Sequence, residues 1–292
     1  MAEEIWVAGD GRSGTTWLAN LINWQGRLRF LFEPFHPLNE PGMAPFGPFP
    51  YLRPGAAAPQ FEAYTRSVFS PEFQSEWSAR FATGSAFDGV LVKCIFSNLF
   101  LGWADRILPD VRKILLLRHP CAVAASKLSL SSQGWGWETQ AARFPERAEL
   151  REDYLLPHES LIRQVQDDPF QHYVLSWAIL NKVPLQQMRE DRLHVVFYED
   201  LCTDPERELR RLFHFLGRPN PDTAWNDEAV RFQYAAPSQT SDPVRPGMSM
   251  EERIAGWTQQ VSPQAVALSM EILEAFGLGH LYCADPLPIH RR

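Results

Sequence analysis

Nine residues near the N-terminus constrain this chain more than any other stretch: Gly9-Asp10-Gly11-Arg12-Ser13-Gly14-Thr15-Thr16-Trp17. An apolar run at 5–9 precedes them and reads as a buried strand. A helical run carrying Leu18, Leu21 and Ile22 follows. Strand, glycine loop and helix in this order form an anion cradle. Glycines let successive backbone N–H groups turn inward, and the helix N-terminus adds partial positive charge. Arg12, Ser13, Thr15 and Thr16 add side-chain donors to the same loop. Two common nucleotide patterns fit it incompletely. Gly9 and Gly14 have the spacing of GxxxxGK[ST], but Thr15 stands where the lysine belongs and the positive charge moves to Arg12. GxGxxG matches Gly9, Gly11 and Gly14, yet Arg12 would crowd a pyrophosphate crossing there. Glu33, followed directly by Pro34, is a poor reader of a ribose.

Further short apolar runs at 28–32, 89–93, 113–118 and 193–198 read as strands of a parallel sheet, bounded by glycine or polar residues. Helical patterns are expected near 71–82, 98–108, 121–130 and 170–190. Later apolar helix faces are carried by Leu209, Leu212, Phe213 and Leu216 and by residues 261–276. The alternation predicts an α/β fold in three layers, P-loop-like, with a mostly parallel central sheet, formed by residues 1–292 as one domain. Two inserts interrupt it, at 34–60 and 131–160, both on the ligand-binding side of a presumed strand. The first packs eight prolines into residues 34–59, which excludes regular helix or central strand and leaves an ordered loop or a lid. It offers Phe35, Phe46, Phe49 and Tyr51, and the second insert offers Trp135 and Trp137, as surfaces that can stack on an acceptor.

A second anion site is expected where the strand at 113–117 ends in Arg118-His119-Pro120. Pro120 suits the first turn of a helix, which carries Ser126 back toward Arg118. A guanidinium fork and a hydroxyl clamp a phosphate. Two phosphate sites after two different strands suggest a nucleotide phosphorylated at two positions. The net charge of −7 argues against a nucleic acid or an anionic membrane surface as partner, but leaves room for one local basic pocket. No stretch approaches the roughly 20 apolar residues of a membrane span. No secretory leader is expected, because residues 1–4 are short and acidic. Cys94, Cys121, Cys202 and Cys283 form no CxxC pair and read as reduced thiols, which suggests a cytoplasmic protein. The eight histidines show no metal-ligand spacing, and no metal is expected.

At this point the chain resembles the sulfotransferases that use 3'-phosphoadenosine 5'-phosphosulfate (PAPS) and release 3'-phosphoadenosine 5'-phosphate (PAP), in their bacterial or carbohydrate-type branch. Residues 11–17 (GRSGTTW) resemble the family's 5'-phosphosulfate loop, and 118–126 (RHPCAVAAS) its 3'-phosphate motif. Residues 195–217 (VVFYEDLCTDPERELRRLFHFLG) are similar to its strand, YED turn and following helix. Residues 245–257 (RPGMSMEERIAGW) resemble the segment that closes over the nucleotide.

The resemblance implies roles. Arg12, Ser13, Gly14, Thr15 and Thr16 would hold the 5'-phosphosulfate, and Arg12 would stabilise the leaving phosphate. Arg118 and Ser126 would bind the 3'-phosphate, and Tyr198 the base or its surroundings. Trp17 is read either as stacking near the adenine or as a core aromatic. In the closing segment the candidates are Arg253, Gly256 and Trp257, with Arg245 competing for the phosphate role. Cytosolic members carry a catalytic histidine where this chain has Ile95, so their base is missing. Glu33 replaces it as the expected general base, with a salt bridge to Arg12 or Lys93 as the structural alternative. Lys93 would steady the sulfuryl oxygens or serve structure alone. His36 would orient Glu33, touch acceptor or act as base itself. His119 is expected to cap or pack, and Trp177 to lie in the core beside Asn181. The implied acceptor is a hydroxyl of a carbohydrate or small-molecule natural product, and a homo-oligomer is possible. A P-loop kinase and a non-catalytic nucleotide-binding protein are the alternatives.

Overall fold

A computed structural model describes residues 3–84, 86–131, 143–240 and 249–289. Trp135, Trp137 and Arg245 lie outside them. Five parallel strands form the sheet, in the order β2-β3-β1-β4-β5. They are β1 (Glu3–Gly9), β2 (Leu28–Phe32), β3 (Gly89–Cys94), β4 (Arg112–Leu117) and β5 (Leu193–Phe197). The helices in chain order are α1 (Thr15–Ile22), α2 (Pro59–Val68), α3 (Glu76–Ala79), α4 (Leu101–Ile107), α5 (Pro120–Ser131), α6 (Ala148–Leu150), α7 (Glu159–Gln164), α8 (Pro169–Gln187), α9 (Tyr198–Thr203), α10 (Pro205–Leu216), α11 (Glu228–Ala235), α12 (Met250–Ala255) and α13 (Pro263–Ala275). Among the described residues, no helix is long and apolar enough to cross a membrane.

The strands are apolar on both faces because both are covered. Along β1, Ile5 and Val7 enter one core and Trp6 and Ala8 the other. The Ile5 face packs against Leu18, Leu21 and Ile22 of α1 and Leu209, Leu212 and Phe213 of α10. The Trp6 face packs against Phe61 of α2, Trp103 of α4 and Trp177 of α8. Trp177 is fully buried, as expected of a core aromatic. The helix over 205–216 ends at Gly217 in a left-handed turn (φ 70°), where Arg218 N–H returns to the Phe213 carbonyl 3.0 Å away.

The helix expected over 71–82 is shorter and has a neighbour that the sequence reading missed. Pro59 opens α2, where its missing N–H is harmless, and Phe61, Thr65 and Val68 make the buried stripe. After Pro71 only one turn forms, α3, capped by Ser75 accepting from Ser78 N.

The proline-rich insert is an ordered loop with one 3-10 turn at Pro41–Met43. Its aromatics are largely spent on packing. Phe35 is fully buried and stacks on Trp6 at 5.0 Å and 3°. Phe46 meets Phe61, and the buried Tyr51 donates to Asp153. A loop whose prolines cannot join a sheet is held instead by buried rings. Of the four rings offered to an acceptor, Phe49 keeps contact with the site side through Phe96 at 5.1 Å.

Gly9 and Gly14 are needed for different reasons. A Cβ on Gly9 would lie 2.7 Å from the Leu116 carbonyl oxygen and 2.8 Å from Thr15 Cγ2. Gly14 adopts φ 95°, and a Cβ there would lie 3.0 Å from the Tyr198 ring. A Gly14→Ala variant is expected to lose about 1–2 kcal/mol from the left-handed backbone alone, read as a lowered urea midpoint; an unchanged midpoint would contradict the loop geometry.

Candidate active site

The carboxyl ends of the strands deliver the site. β1 leads into Asp10–Gly14, β2 into Glu33, β3 into Ile95, β4 into Arg118 and β5 into Tyr198. The central strand β1 lies between β3 and β4, so the loops on either side of it diverge and leave a crevice.

On one side of the crevice, arginines gather. Arg12, in left-handed conformation (φ 70°), donates from Nε to Ser126 Oγ at 3.1 Å. Arg118 donates from Nη1 to the Arg12 carbonyl (3.0 Å) and from Nη2 to the Arg253 carbonyl (2.9 Å). The expected clamp is therefore joined differently: Ser126 bonds Arg12, and Arg118 reaches both through the Arg12 backbone. Arg12 also donates to the Thr240 carbonyl, and Thr240 Oγ1 donates to Thr16 Oγ1 at 3.0 Å. The Arg118 guanidinium lies 4.5 Å over the Tyr198 ring. Trp17 is almost buried, edge-on to Tyr198, and donates to the Tyr234 carbonyl at 3.0 Å. That arrangement favours the core reading of Trp17.

Of the segment 245–257, residues 249–257 are described. A capping box between Ser249 and Glu252 starts α12. Trp257 then stacks on His119, with centroids 4.3 Å apart and planes at 18°. Gly256 lies between them in sequence, and a Cβ there would meet nothing within 4 Å.

His119 caps and packs. Its Nδ1 accepts from Cys121 N and its Nε2 bonds the Cys283 carbonyl at 2.9 Å. Burial pushes it down to about 4, so the ring is neutral near pH 7. Its backbone N–H donates to Glu199 Oε1, and Tyr282 OH donates to Glu199 Oε2, both at 2.8 Å. Burial pushes Glu199 up to about 7.

Sequence reasoning missed two buried pairs, Asp10 with Lys127 and Glu199 with Tyr282. Lys127, beside Ser126, bonds both oxygens of Asp10 at 2.6 and 2.7 Å and ties the glycine loop to α5. Asp10 stood inside the loop motif, and Lys127 adjoined a predicted ligand. Glu199 stood in the YED turn, whereas Tyr282 carried no local signal.

Across the crevice stand Glu33 and Lys93. Glu33 takes φ 51°, which turns the chain out of β2. Its carboxylate is almost fully buried; Oε1 pairs with Lys93 Nζ and Oε2 accepts from Ile95 N at 2.8 Å. The salt bridge to Lys93 is thus formed. His36 lies one turn on, its N–H bonded to the Glu33 carbonyl. Nδ1 of His36 accepts from the Leu38 and Asn39 amides at 3.1 Å each. Its ring rests against Trp77 (4.9 Å) and Phe96 (4.8 Å). Burial first, opposed by Glu33, sets His36 below its ordinary value.

The donor side fits a multiply charged anion. Ser13 Oγ, Arg118 Nε, Arg253 Nε and Trp257 Nε1 are buried and have no hydrogen-bond partner among the described residues. Unused donors around a knot of arginines suit phosphate oxygens. Among the described residues, no group of three or more His, Cys, Asp or Glu stands ready to hold a metal ion.

Fold and site together define an α/β protein with a knot of arginines and a buried carboxylate at the carboxyl end of one parallel sheet. The profile of the sulfotransferase family matches residues 4–222, three quarters of the chain, and the chain belongs to that family. PAPS-dependent sulfuryl transfer is the chemistry this membership supports. Among solved structures, the sulfotransferase domain of the curacin biosynthetic pathway is similar at TM-score 0.50 and 15% identity, over 95% of this chain and 98% of that one. The sulfotransferase domain of the olefin synthase of Synechococcus PCC 7002 is 19% identical, at TM-score 0.48 over 94% of each chain. A mouse sulfotransferase in complex with PAP is 13% identical, at TM-score 0.47 over 94% of this chain and 85% of that one. No curated protein matches the chain.

The Glu199 and His119 shifts oppose each other. Between pH 4.5 and 7 the folded chain holds a proton on Glu199 that the unfolded chain has lost, so this contribution fades as pH rises. His119 loses its contribution as pH falls from 6.5 toward 4. Against the unsubstituted protein, Glu199→Gln is expected to gain relative stability as pH rises from 4.5 to 7, because the His119 titration cancels in the difference. Urea midpoints at both pH values check this; a constant difference would contradict the raised Glu199.

Proposed function

We propose that the protein transfers a sulfuryl group from PAPS to a hydroxyl of a carbohydrate or small-molecule natural product, with residues 1–292 acting as one domain. The observation that carries this reading is the pairing of an arginine-rich cradle at Arg12, Arg118 and Ser126 with a carboxylate at the same end of the sheet, Glu33 at the end of β2. Arg12, Ser13, Gly14, Thr15 and Thr16 bind the 5'-phosphosulfate. Arg118, through its Nε, and Arg253 face the 3'-phosphate, and Trp257 adds its unpartnered Nε1 to the same flank. Ser126 holds Arg12 in place.

In the step itself, the acceptor oxygen attacks sulfur in line and the bond from sulfur to the bridging phosphate oxygen breaks. The hydroxyl proton goes to Glu33, and the bridging oxygen leaves with its electron pair on PAP. Glu33 retains lone pairs beyond those facing Lys93 and the Ile95 amide. Its strained backbone is the kind found at functional sites. Arg12 is charged throughout, so it stabilises the leaving phosphate without giving up a proton. Lys93 steadies the sulfuryl oxygens.

The tight Glu33–Lys93 pair favours a second reading, in which Glu33 positions Lys93 and His36 takes the proton on Nδ1, giving up the Leu38 and Asn39 amides. Two variants separate them. Glu33→Gln is expected to lower kcat on a turned-over acceptor by about 10²–10⁴-fold, the range of general-base catalysis, with PAP affinity kept. His36→Gln is expected to fall far less. If the losses are reversed, with PAP binding intact, His36 is the base; if neither loses activity, both assignments fail.

A further inference from the structure

The rim of the acceptor side carries a cation that the sequence did not single out. Arg80 follows α3 and lays its guanidinium over three rings: Trp77 at 3.5 Å, Phe32 at 4.4 Å and Phe81 at 4.8 Å from the centroids. Those rings place it beside the proposed chemistry. Phe32, the last residue of β2, also carries Lys93 Nζ at 4.7 Å from its centroid. Trp77 also carries the edge contact with His36. Arg80 thus shares one ring with the partner of Glu33 and another with His36.

Among the described residues its charge is unanswered. Arg27, Arg53, Arg66 and Arg151 at the surface each face a carboxylate, whereas Arg112, Arg163 and Arg231 face none among the described residues. Arg80 has no hydrogen-bond or ion-pair partner among the described residues. The nearby carboxylate, Glu33, is already paired with Lys93, so Arg80 is the surplus charge of the cluster. Partial burial lowers Arg80 from its ordinary value, opposed by Glu33, so part of its hydration is already lost. Beside it, Trp77 Nε1 is a buried donor without a partner among the described residues. The platform is fixed in place: Glu40, buried in the proline-rich loop, accepts from both Ser75 and Ser78 and ties α3 to that loop. A stacked guanidinium keeps its edge N–H groups free, in the fork geometry that suits oxyanions.

We propose that Arg80 binds an anionic group of the acceptor, a carboxylate or a phosphoryl group, close to the hydroxyl that is sulfated. The proposal rests on the sulfotransfer reading and narrows its substrate to acceptors that are already acidic. The aromatic platform then packs the apolar part of the same molecule while Arg80 fixes its orientation.

Calorimetric titration tests this with two matched sets of probes added to protein saturated with PAP. One set is glucose, glucuronate and glucose 6-phosphate; the other is 2-nonanol and 3-hydroxydecanoate. PAP keeps the phosphate probe off the donor site, and the carboxylate and phosphate arms tell the two anions apart. At least one anionic probe is expected to bind tenfold or more tightly than its neutral counterpart. Arg80→Gln, at an exposed position, is expected to erase that preference, and Arg80→Lys to keep part of it. Equal binding within every set, or a preference that survives Arg80→Gln, overturns the proposal. PAP binding, measured first in the same experiment, reads out the sulfotransfer reading separately: its absence sinks that reading, whereas bound PAP without anion preference sinks only the role of Arg80.

Discussion

Like charges do not gather in a crevice without something to hold them, and here the backbone does it. Arg118 spends both terminal nitrogens on carbonyl oxygens, and each of those carbonyls belongs to another arginine, Arg12 or Arg253. Three guanidinium-bearing residues from the β1 loop, the end of β4 and α12 are thereby locked together before any ligand arrives. Such preorganised positive charge is costly in the free protein and favourable once an anion enters. The parallel sheet is what allows it, because all five strands discharge their following loops at one edge.

The same constraint explains the conspicuous buried groups around the cradle. Asp10 and Lys127 pin the glycine loop to α5, almost fully excluded from water. Breaking such a pair by removing one partner leaves a buried charge uncompensated, which is far costlier than losing a surface pair. Glu199 performs a related task on the far side. It receives the His119 amide and the Tyr282 hydroxyl, and so joins the end of β4 to the C-terminal segment. His119 adds the Trp257 stack and the Cys283 bond to that junction. Elements distant in sequence are thus fastened around the arginine knot.

Much of the sheet and the loop after its first strand was legible in the sequence. The glycine loop and the apolar runs of β1 to β5 are local signals, and local signals survive folding. The departures arise where tertiary packing decides. Ser126 turned to Arg12 because side chains from two different loops meet there. Phe35 and Tyr51 looked like an acceptor surface, but a proline loop without sheet partners needs buried rings to hold it, and they serve that need. Pro59 marked a helix start that residue periodicity alone did not bring out. Arg80 and Tyr282 carried no motif at all; only the rings and carboxylates brought to them by the fold give them meaning.

The central claim is that this crevice recognises a nucleotide by phosphates at two positions, and one titration tests it most directly. Calorimetry would compare PAP with adenosine 5'-phosphate, in the unsubstituted protein and in Arg118→Ala. A site built on the Arg12–Arg118–Arg253 knot binds PAP at least tenfold more tightly, and Arg118→Ala removes most of that advantage. Equal affinity for the two nucleotides, or an advantage that outlasts the loss of Arg118, would contradict it.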